Sequence, residues 1–322
     1  MAADSGILIS VIVPTHNRCK YLINTIKSLQ EQSLDPQRYE IIVVDNNSTD
    51  KTEDAVKQTN STGGKEVIYL KENILGLQHA RHSGAKIARG KVIAYTDDDG
   101  IYSRDWLSEL LKFYDDEKVG CVGGKVLPKW EVPPPNFIKR FPEGYLSLLD
   151  YGNEPKELDD CGIYGVNFSV RRDLIFSLGG FHPGMIGSVR FGDCEIGLLK
   201  KVQGAGYKIM YAPGAVCFHV IPAERLTFAY MKRRAEQQGA SISFAEYREK
   251  RYDKKKLIAR VIRFSFYAIA HYIFAILKKL KNNDAWYSQI GHSHYYLGRI
   301  KYEYNLLSDR SLREMNLKNN WI

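Results

Sequence analysis

Three consecutive carboxylates, Asp97-Asp98-Asp99, follow directly on the mostly apolar run Lys91–Thr96. Like charges this close repel, so they need a cation or a full water shell. Alternate side chains of an extended strand exit point to one side. Asp97 and Asp99 can therefore share a hard cation, Mn2+ or Mg2+, whose other positions go to water and phosphate oxygens. The plainer alternative is a solvated acidic turn ahead of the helix near Trp106. Two more polar segments leave apolar runs in the same way, Pro14-Thr15-His16-Asn17 and Asp45-Asn46-Asn47. Two common phosphate-binding sequences are missing: no G-x-G-x-x-G follows the first apolar run, and Gly63-Gly64-Lys65 continues with Glu66 rather than Ser or Thr. A dinucleotide oxidoreductase and a P-loop NTPase are thereby disfavoured.

These loops need a scaffold that brings them together. Ile7 to Val13, Glu40 to Val44, Val67 to Leu70 and Val92 to Tyr95 are short, rich in Ile and Val, and read as buried strands. Between them, apolar residues recur at helical spacing. The order βαβαβαβ predicts a parallel sheet with helices on both faces and ligands bound beyond the carboxyl ends of the strands. Further on, the reading is a helix at Trp106 to Tyr114, a strand at Val119 to Val122, a proline-rich loop from Pro128 to Pro142, strand character from Asp159 to Val170 and a helix from Phe191 to Gln203. Two strands, Tyr207 to Tyr211 and Ala215 to Phe218, then flank a turn at Pro213-Gly214.

The 322 residues suffice for about two domains or one large α/β domain with an appendage, and 44% hydrophobic with 26% charged residues is an ordinary globular composition. Five scattered cysteines, Cys19, Cys121, Cys161, Cys194 and Cys217, form no C-x-x-C pair and encode neither a disulfide framework nor a zinc ribbon. A reducing cytoplasm is expected. The start of the chain lacks a basic segment before its apolar run, and no secretory signal is read there. The net charge of +9 is unevenly placed: residues 1–224 carry −3 and residues 225–322 carry +12. An acidic body with a cationic, aromatic tail argues against a general nucleic-acid binder and for a surface partner of the tail alone.

The segments VIVPTHNR, YEIIVVDNNSTD and ENILGLQHARHSGAKIARGKVIAYTDDD resemble the nucleotide-sugar half of family 2 glycosyltransferases, inverting enzymes of the GT-A fold. The resemblance covers about residues 7 to 239. It implies a metal-dependent transfer of a sugar from a nucleoside diphosphate donor, most often a uridine diphosphate sugar, to a hydroxyl in polysaccharide, glycolipid or glycoprotein assembly. By position it implies Asp45 at the nucleobase, Arg81 at base or diphosphate, and Asp97 with Asp99 at the metal. Pro14, Thr15, Asn17, Asn47 and Asp98 join the donor site. His82 stands where the family usually has Asn. The segment FGDCEIGLLKKVQGAGYKI resembles the catalytic segment. Counting back from Gly206-Tyr207 without a gap makes Glu195 the general base; a helix two residues longer makes it Asp193. Asn167, in a G-x-N-x-x-x-R-R-like segment, and Trp130 are the acceptor-side candidates, and His219 is a metal or diphosphate contact.

The expected organisation is a catalytic domain at 1–239, divided at about residue 100 into nucleotide-sugar and acceptor halves, and a basic helical tail at 240–322. Within the tail, lysines and arginines flank the 14-residue uncharged run Phe264 to Leu277. As a helix that run spans about 21 Å, short of a hydrocarbon core of about 30 Å. An in-plane position on an anionic membrane surface is expected, peripheral on the cytoplasmic face, where a lipid-linked acceptor is presented. A packed helical cap or a dimer surface is the competing reading, and the oligomeric state is left open. The rival functions are a noncatalytic nucleotide or nucleic-acid binding module and a nucleotidyltransferase on a related sheet; no motif for reading RNA or DNA supports the first.

Overall fold

The structure is a computed structural model that describes residues 6–61, 63–159, 162–182, 185–186, 189–190 and 193–322. Cys161, Phe191 and Gly192, named above, lie outside the described residues. In chain order the elements begin β1 (Ile9–Thr15), α1 (Cys19–Gln30), β2 (Tyr39–Asp45), α2 (Thr52–Ser61), β3 (Val67–Lys71), α3 (Leu77–Ile87) and β4 (Val92–Thr96). They continue with β5 (Gly100–Tyr102), α4 (Trp106–Leu111), β6 (Val119–Trp130), β7 (Lys156–Glu157), β8 (Asn167–Arg171) and α5 (Arg172–Ser177). A small hairpin, β9 (Met185–Ile186) and β10 (Val189–Arg190), leads to α6 (Cys194–Gly204) and β11 (Lys208–Ile221). Four helices close the chain: α7 (Phe228–Lys250), α8 (Lys254–Leu280), α9 (Trp286–Ser308) and α10 (Arg310–Asn316).

The main sheet runs β3-β2-β1-β4-β8-β6-β11-β5, with β7 also paired to β11. Strands β1 to β4 are parallel, as the alternating pattern predicts, and every residue of β1, β2 and β4 is buried. Helices cover such a sheet on both faces, which is why these strands read as unbroken apolar runs. Beyond β4 the sheet is mixed: β8 is antiparallel to both β4 and β6, and β11 is parallel to β6.

Three sequence expectations change. The strands expected at 207–211 and 215–218 are one strand, β11, and the Pro213-Gly214 turn is a bulge. Ala212 pairs with Gly124 and Val216 with Lys125, so three residues step out of the ladder while the chain keeps its direction. Strand β6 extends to Trp130, into the stretch read as loop. The boundary at 239/240 falls inside α7, which continues unbroken to Lys250.

The tail is a helical cap. Helices α7 and α9 approach so closely that a Cβ on Gly239 would lie 2.0 Å from the Tyr295 carbonyl oxygen, and one on Gly298 2.0 Å from that of Glu236. Between α7, α8 and α9 lies a buried ionic cluster. Arg260 Nε donates to Glu303 at 2.9 Å, its Nη2 donates to Glu303 at 2.6 Å and to Glu246, and Arg299 also donates to Glu246. The expected 14-residue run is the middle of a 27-residue helix, because Lys and Arg at its ends are good helix formers. By length and composition α8 suffices to cross a membrane. Its inner face packs on α9, while Ile258, Ile262, Phe266, Ile269, Ile273 and Leu277 are exposed.

Candidate active site

The exits of β1, β2 and β4 converge as the parallel topology requires. They frame a 280 Å3 cleft whose wall includes Pro14, Thr15, His16, Asn46, Asp97 and Arg225. Thr15 Oγ1 donates to Asp98 at 2.8 Å, tying the first exit to the acidic turn. Asn17, held at a left-handed φ of 55°, accepts from the backbone N–H groups of Thr49 at 2.7 Å and Asp50 at 3.2 Å. It therefore braces the first exit against the second. Asn47 is exposed at the tip of the second exit. Asp45 is buried and accepts from Tyr69 at 2.6 Å and from the Ser48 backbone at 2.8 Å. Its neighbour Asn46 lines the cleft in its place, fixed by the Ile74 carbonyl at 2.7 Å and the Gly76 N–H at 2.6 Å.

The three adjacent carboxylates have three different surroundings. Arg18 bridges Asp98 at 3.1 Å and Asp99 at 2.8 Å. Arg225 reaches Asp99 at 2.8 Å and His219 Nε2 at 2.9 Å. Burial pushes the Asp98 carboxyl up to about 7, against the pull of Arg18. Burial also works against charge on Asp99, but His219, Arg225 and Arg18 outweigh it and hold that carboxyl well below the usual range. Asp97 keeps 34% of its side chain exposed and faces the cleft.

Arg81, on α3, is the centre of the arrangement. Its side chain is fully buried, its Nη1 donates to Glu195 at 3.0 Å and its Nη2 lies 3.5 Å from Asp97. Burial alone would lower its pKa, but Glu195 and Asp97 more than compensate and keep it charged. Nε and Nη2 nevertheless have no hydrogen-bond partner. A buried donor without a partner costs about 1–3 kcal/mol, more on a charged group, so two on one guanidinium mark a place prepared for an anion. Gly165 makes the approach possible: a Cβ there would lie 1.9 Å from Glu195 Oε1 and 2.2 Å from Arg81 Nη2.

Glu195 also lines a second cavity of 510 Å3, together with Asp193, Tyr145 and Tyr164. The two acids differ. Glu195 faces Arg81, whereas Asp193 is buried and bonded to His182 Nδ1 at 2.7 Å.

Two acceptor-side candidates lie outside the wall around Glu195. Asn167 is fully buried and its amide is spent inside the protein, accepting from Trp106 Nε1 at 2.8 Å and donating to the carbonyls of Lys125 at 3.0 Å and Ala215 at 2.9 Å. It holds β8 to its neighbours rather than touching a ligand. Trp130, at the end of β6, lines a 200 Å3 recess with Tyr21, Lys129, Glu131 and Asp99; the recess shares Asp99 with the first cleft and no residue with the wall around Glu195. Arg18 and Arg225 were not singled out from the sequence, since nothing local to either links it to a carboxylate 81 or 126 positions away.

A divalent cation fits part of this set. Asp97 offers an exposed carboxylate, and Asp99 Oδ1 has no hydrogen-bond partner, with His219 Nε2 3.3 Å away. His219 is oriented by its Nδ1, which lies 2.9 Å from the Leu146 carbonyl. Among the described residues, no three His, Cys, Asp or Glu side chains form a ready-made metal cage. A cation here would depend on phosphate oxygens and water for the rest of its shell.

Known proteins share this architecture. A glucosyl-dolichyl phosphate glucuronosyltransferase of Haloferax volcanii is 27% identical over 246 residues, 72% of this chain and 75% of that protein. The glycosyltransferase AglE of the same organism is 26% identical over 211 residues, 66% of each chain. The mannosyltransferase PcManGT from Pyrobaculum calidifontis, solved in complex with GDP-Man and Mn2+, superposes with a TM-score of 0.63 at 22% identity. The likeness covers 94% of this chain and 88% of that one, and it supports the GT-A fold. Residues 10–175, more than half the chain, match the family described as glycosyl transferase family 2; the chain belongs to that family and is a glycosyltransferase.

Proposed function

We propose that the chain moves a sugar from a nucleoside diphosphate donor to a hydroxyl of a lipid-linked glycan acceptor, with inversion, as is typical of the family. The observation that carries this reading is Arg81, fully buried, with two nitrogens lacking a hydrogen-bond partner, and paired with one acid from the wall of each cavity, Asp97 and Glu195. In this reading the first cleft holds the nucleotide, with Asn46 and the first exit at its base end and Asp45, behind them, bracing the second exit through Tyr69 and Ser48. Glu195 accepts the proton of the acceptor hydroxyl as that oxygen bonds to the anomeric carbon. The bond from that carbon to the diphosphate oxygen breaks, the leaving group keeps the electron pair, and the Arg81 guanidinium stabilises the charge it develops. A divalent ion, held by Asp97 and Asp99, would supply further neutralisation of the diphosphate. Asp193, already committed to His182, positions the start of α6.

The test is a panel of uridine and guanosine diphosphate sugars with Mn2+ and with Mg2+, scored for nucleoside diphosphate release with and without lipid-linked acceptors. Release with one donor, stimulated by acceptor, is expected. No release from any donor would overturn the transfer reading, and undiminished turnover in excess chelator would overturn the metal.

The lipid part of the reading rests on α8. Its exposed stripe lies between Lys254–Lys256 and the cluster Lys278, Lys279, Lys281. Each such cation gains about 1 kcal/mol near an anionic surface, and the apolar stripe can enter the acyl boundary. Arg260 fixes the opposite face to Glu246 and Glu303, which favours a helix lying in the plane of the membrane. The scattered cysteines, with no C-x-x-C pair among them, are in keeping with the cytoplasmic side. Vesicle flotation tests this: the triple variant Ile262→Ser, Phe266→Ser, Ile269→Ser should leave anionic vesicles, and undiminished flotation would remove the membrane role.

A further inference from the structure

The second cavity is not built by the catalytic domain alone. One side carries Glu195 and Asp193 at the start of α6. The C-terminal helices supply another part of the wall, with Arg234 and Gln238 on α7, which runs across the expected domain boundary, and His292 and Tyr295 on α9. The cavity wall therefore combines two carboxylates with a guanidinium, an imidazole and two tyrosines, Tyr145 and Tyr295. Arg234 is held in place: its Nε donates to the Tyr145 carbonyl at 3.0 Å and its Nη1 to Gln237 at 3.1 Å. The wall is rigid as well, because Gly239 and Gly298 lock α7 against α9.

From this geometry we infer that the C-terminal helices supply part of the acceptor site and read a phosphate ester on the acceptor. The inference rests on the proposed transfer at Glu195 and names the acceptor class. A hydroxyl-bearing sugar suits the carboxylates, tyrosines suit its ring faces, and a phosphate suits Arg234, whose planar guanidinium matches phosphate oxygens. A volume of 510 Å3 lies in the range of small-ligand sites. The ligand is thus a glycosyl phosphate.

Its source is indicated by what lies beyond the rim. The His292 ring stacks on His271 of α8 at 5.1 Å, and Tyr296 lies 5.7 Å from His271 and 5.8 Å from Phe264. At His292 the cavity wall therefore adjoins the helix that carries the exposed apolar stripe. A phosphate whose other ester is a lipid chain would keep its sugar at Glu195 while the chain stays on the α8 side.

Calorimetry on the full-length protein tests this without turnover. The probes are glucose 1-phosphate, farnesyl phosphoryl glucose, free glucose and inorganic phosphate, each titrated with nucleoside diphosphate present. Both glycosyl phosphates should bind at least tenfold tighter than glucose or phosphate. A further gain for the farnesyl compound assigns a lipid-borne acceptor; equal affinity for the two assigns a soluble one. Arg234→Gln should weaken both at least tenfold. Gln238→Glu, which adds a negative charge to the same wall, should do likewise and serves where Arg234→Gln does not fold. Wild-type affinity in both folded variants, or glucose binding as tightly as its phosphate, overturns the assignment. The transfer reading fails separately, if Glu195→Gln retains full transfer while glycosyl phosphates still bind through Arg234.

Discussion

The cleft and the helical cap both bury arginine and acid together, and they do it in opposite ways. In the cap, Arg260 meets Glu303 through two nitrogens, Glu303 also accepts from Ser243 at 2.7 Å, and Glu246 is shared by Arg260 and Arg299. In the cleft, Arg81 keeps two donors unused and Asp99 keeps one oxygen unbonded. A satisfied buried network gives rigidity, whereas an unsatisfied one holds unfavourable energy that a ligand can relieve. By this criterion the ionic cluster inside the cap is framework, and the cluster around Arg81 and Asp99 belongs to a binding site.

Five substitutions can break or sharpen that contrast. The largest expected effect is on Glu195: Glu195→Gln should lower transfer by about 10^2- to 10^4-fold, the usual worth of a positioned acid or base, while donor affinity measured by calorimetry persists. Asp193→Asn should be milder; if it alone abolishes transfer, the two acids exchange roles.

Next comes the cap. Glu303→Ala leaves Arg260 with Glu246 alone and its Nε without an acceptor, and should cost about 3 kcal/mol in urea unfolding, the lower end for a broken buried pair, with donor affinity of the folded fraction kept. A loss below about 1 kcal/mol would mean that the cap's network is not the framework described.

Arg81→Met is the reverse case. Transfer should fall by about 10^2- to 10^3-fold, the range seen when one transition-state donor is removed. Stability should change little, since the guanidinium's own desolvation cost goes with it. A drop in stability as large as that of Glu303→Ala would erase the distinction between the two regions.

The smallest effect is acid sensitivity. His82 accepts the Phe181 N–H at Nε2, and burial, with neighbouring cations, depresses its pKa from 6.5 to about 3. Between those values the unfolded chain takes up a proton that the folded chain refuses. Stability is therefore full above about pH 6.5 and falls as pH drops toward 3, by at most about 1.4 kcal/mol per pH unit. His82→Gln should flatten that share of the slope in unfolding midpoints taken at pH 7 and pH 5; an unchanged slope would assign it to other groups.

What was legible in the sequence follows the range of the interactions. The strand exits announced themselves because unbroken apolar runs end abruptly in Asp, Asn and Thr, and Glu195 and Asp193 were singled out as candidate bases because their segment resembles the family's catalytic one, counted back from Gly206-Tyr207. The partners of those acids were not legible, since Arg225 and Asp99 meet only after the whole sheet is assembled. Asn167 shows the opposite failure: its motif was visible, but only the fold reveals that all its hydrogen bonds point inward. At β11, Pro213-Gly214 carries the composition of a turn, and pairing on both sides with one neighbour, β6, overrode it.

That bulge also changes the parity of the pairing. Before it, Ile209 and Tyr211 pair with Cys121 and Gly123; after it, Cys217 and His219 pair with Val126 and Pro128. Three extra residues are an odd number, so even positions of β6 now stand beside odd positions of β11, and His219 faces the side of the sheet opposite to Tyr211. The face that His219 presents is set by its pairing with Pro128 and not by the number of residues looped out at 213–215, so the loop-out can change length without turning the imidazole away from Asp99 as long as that register is kept.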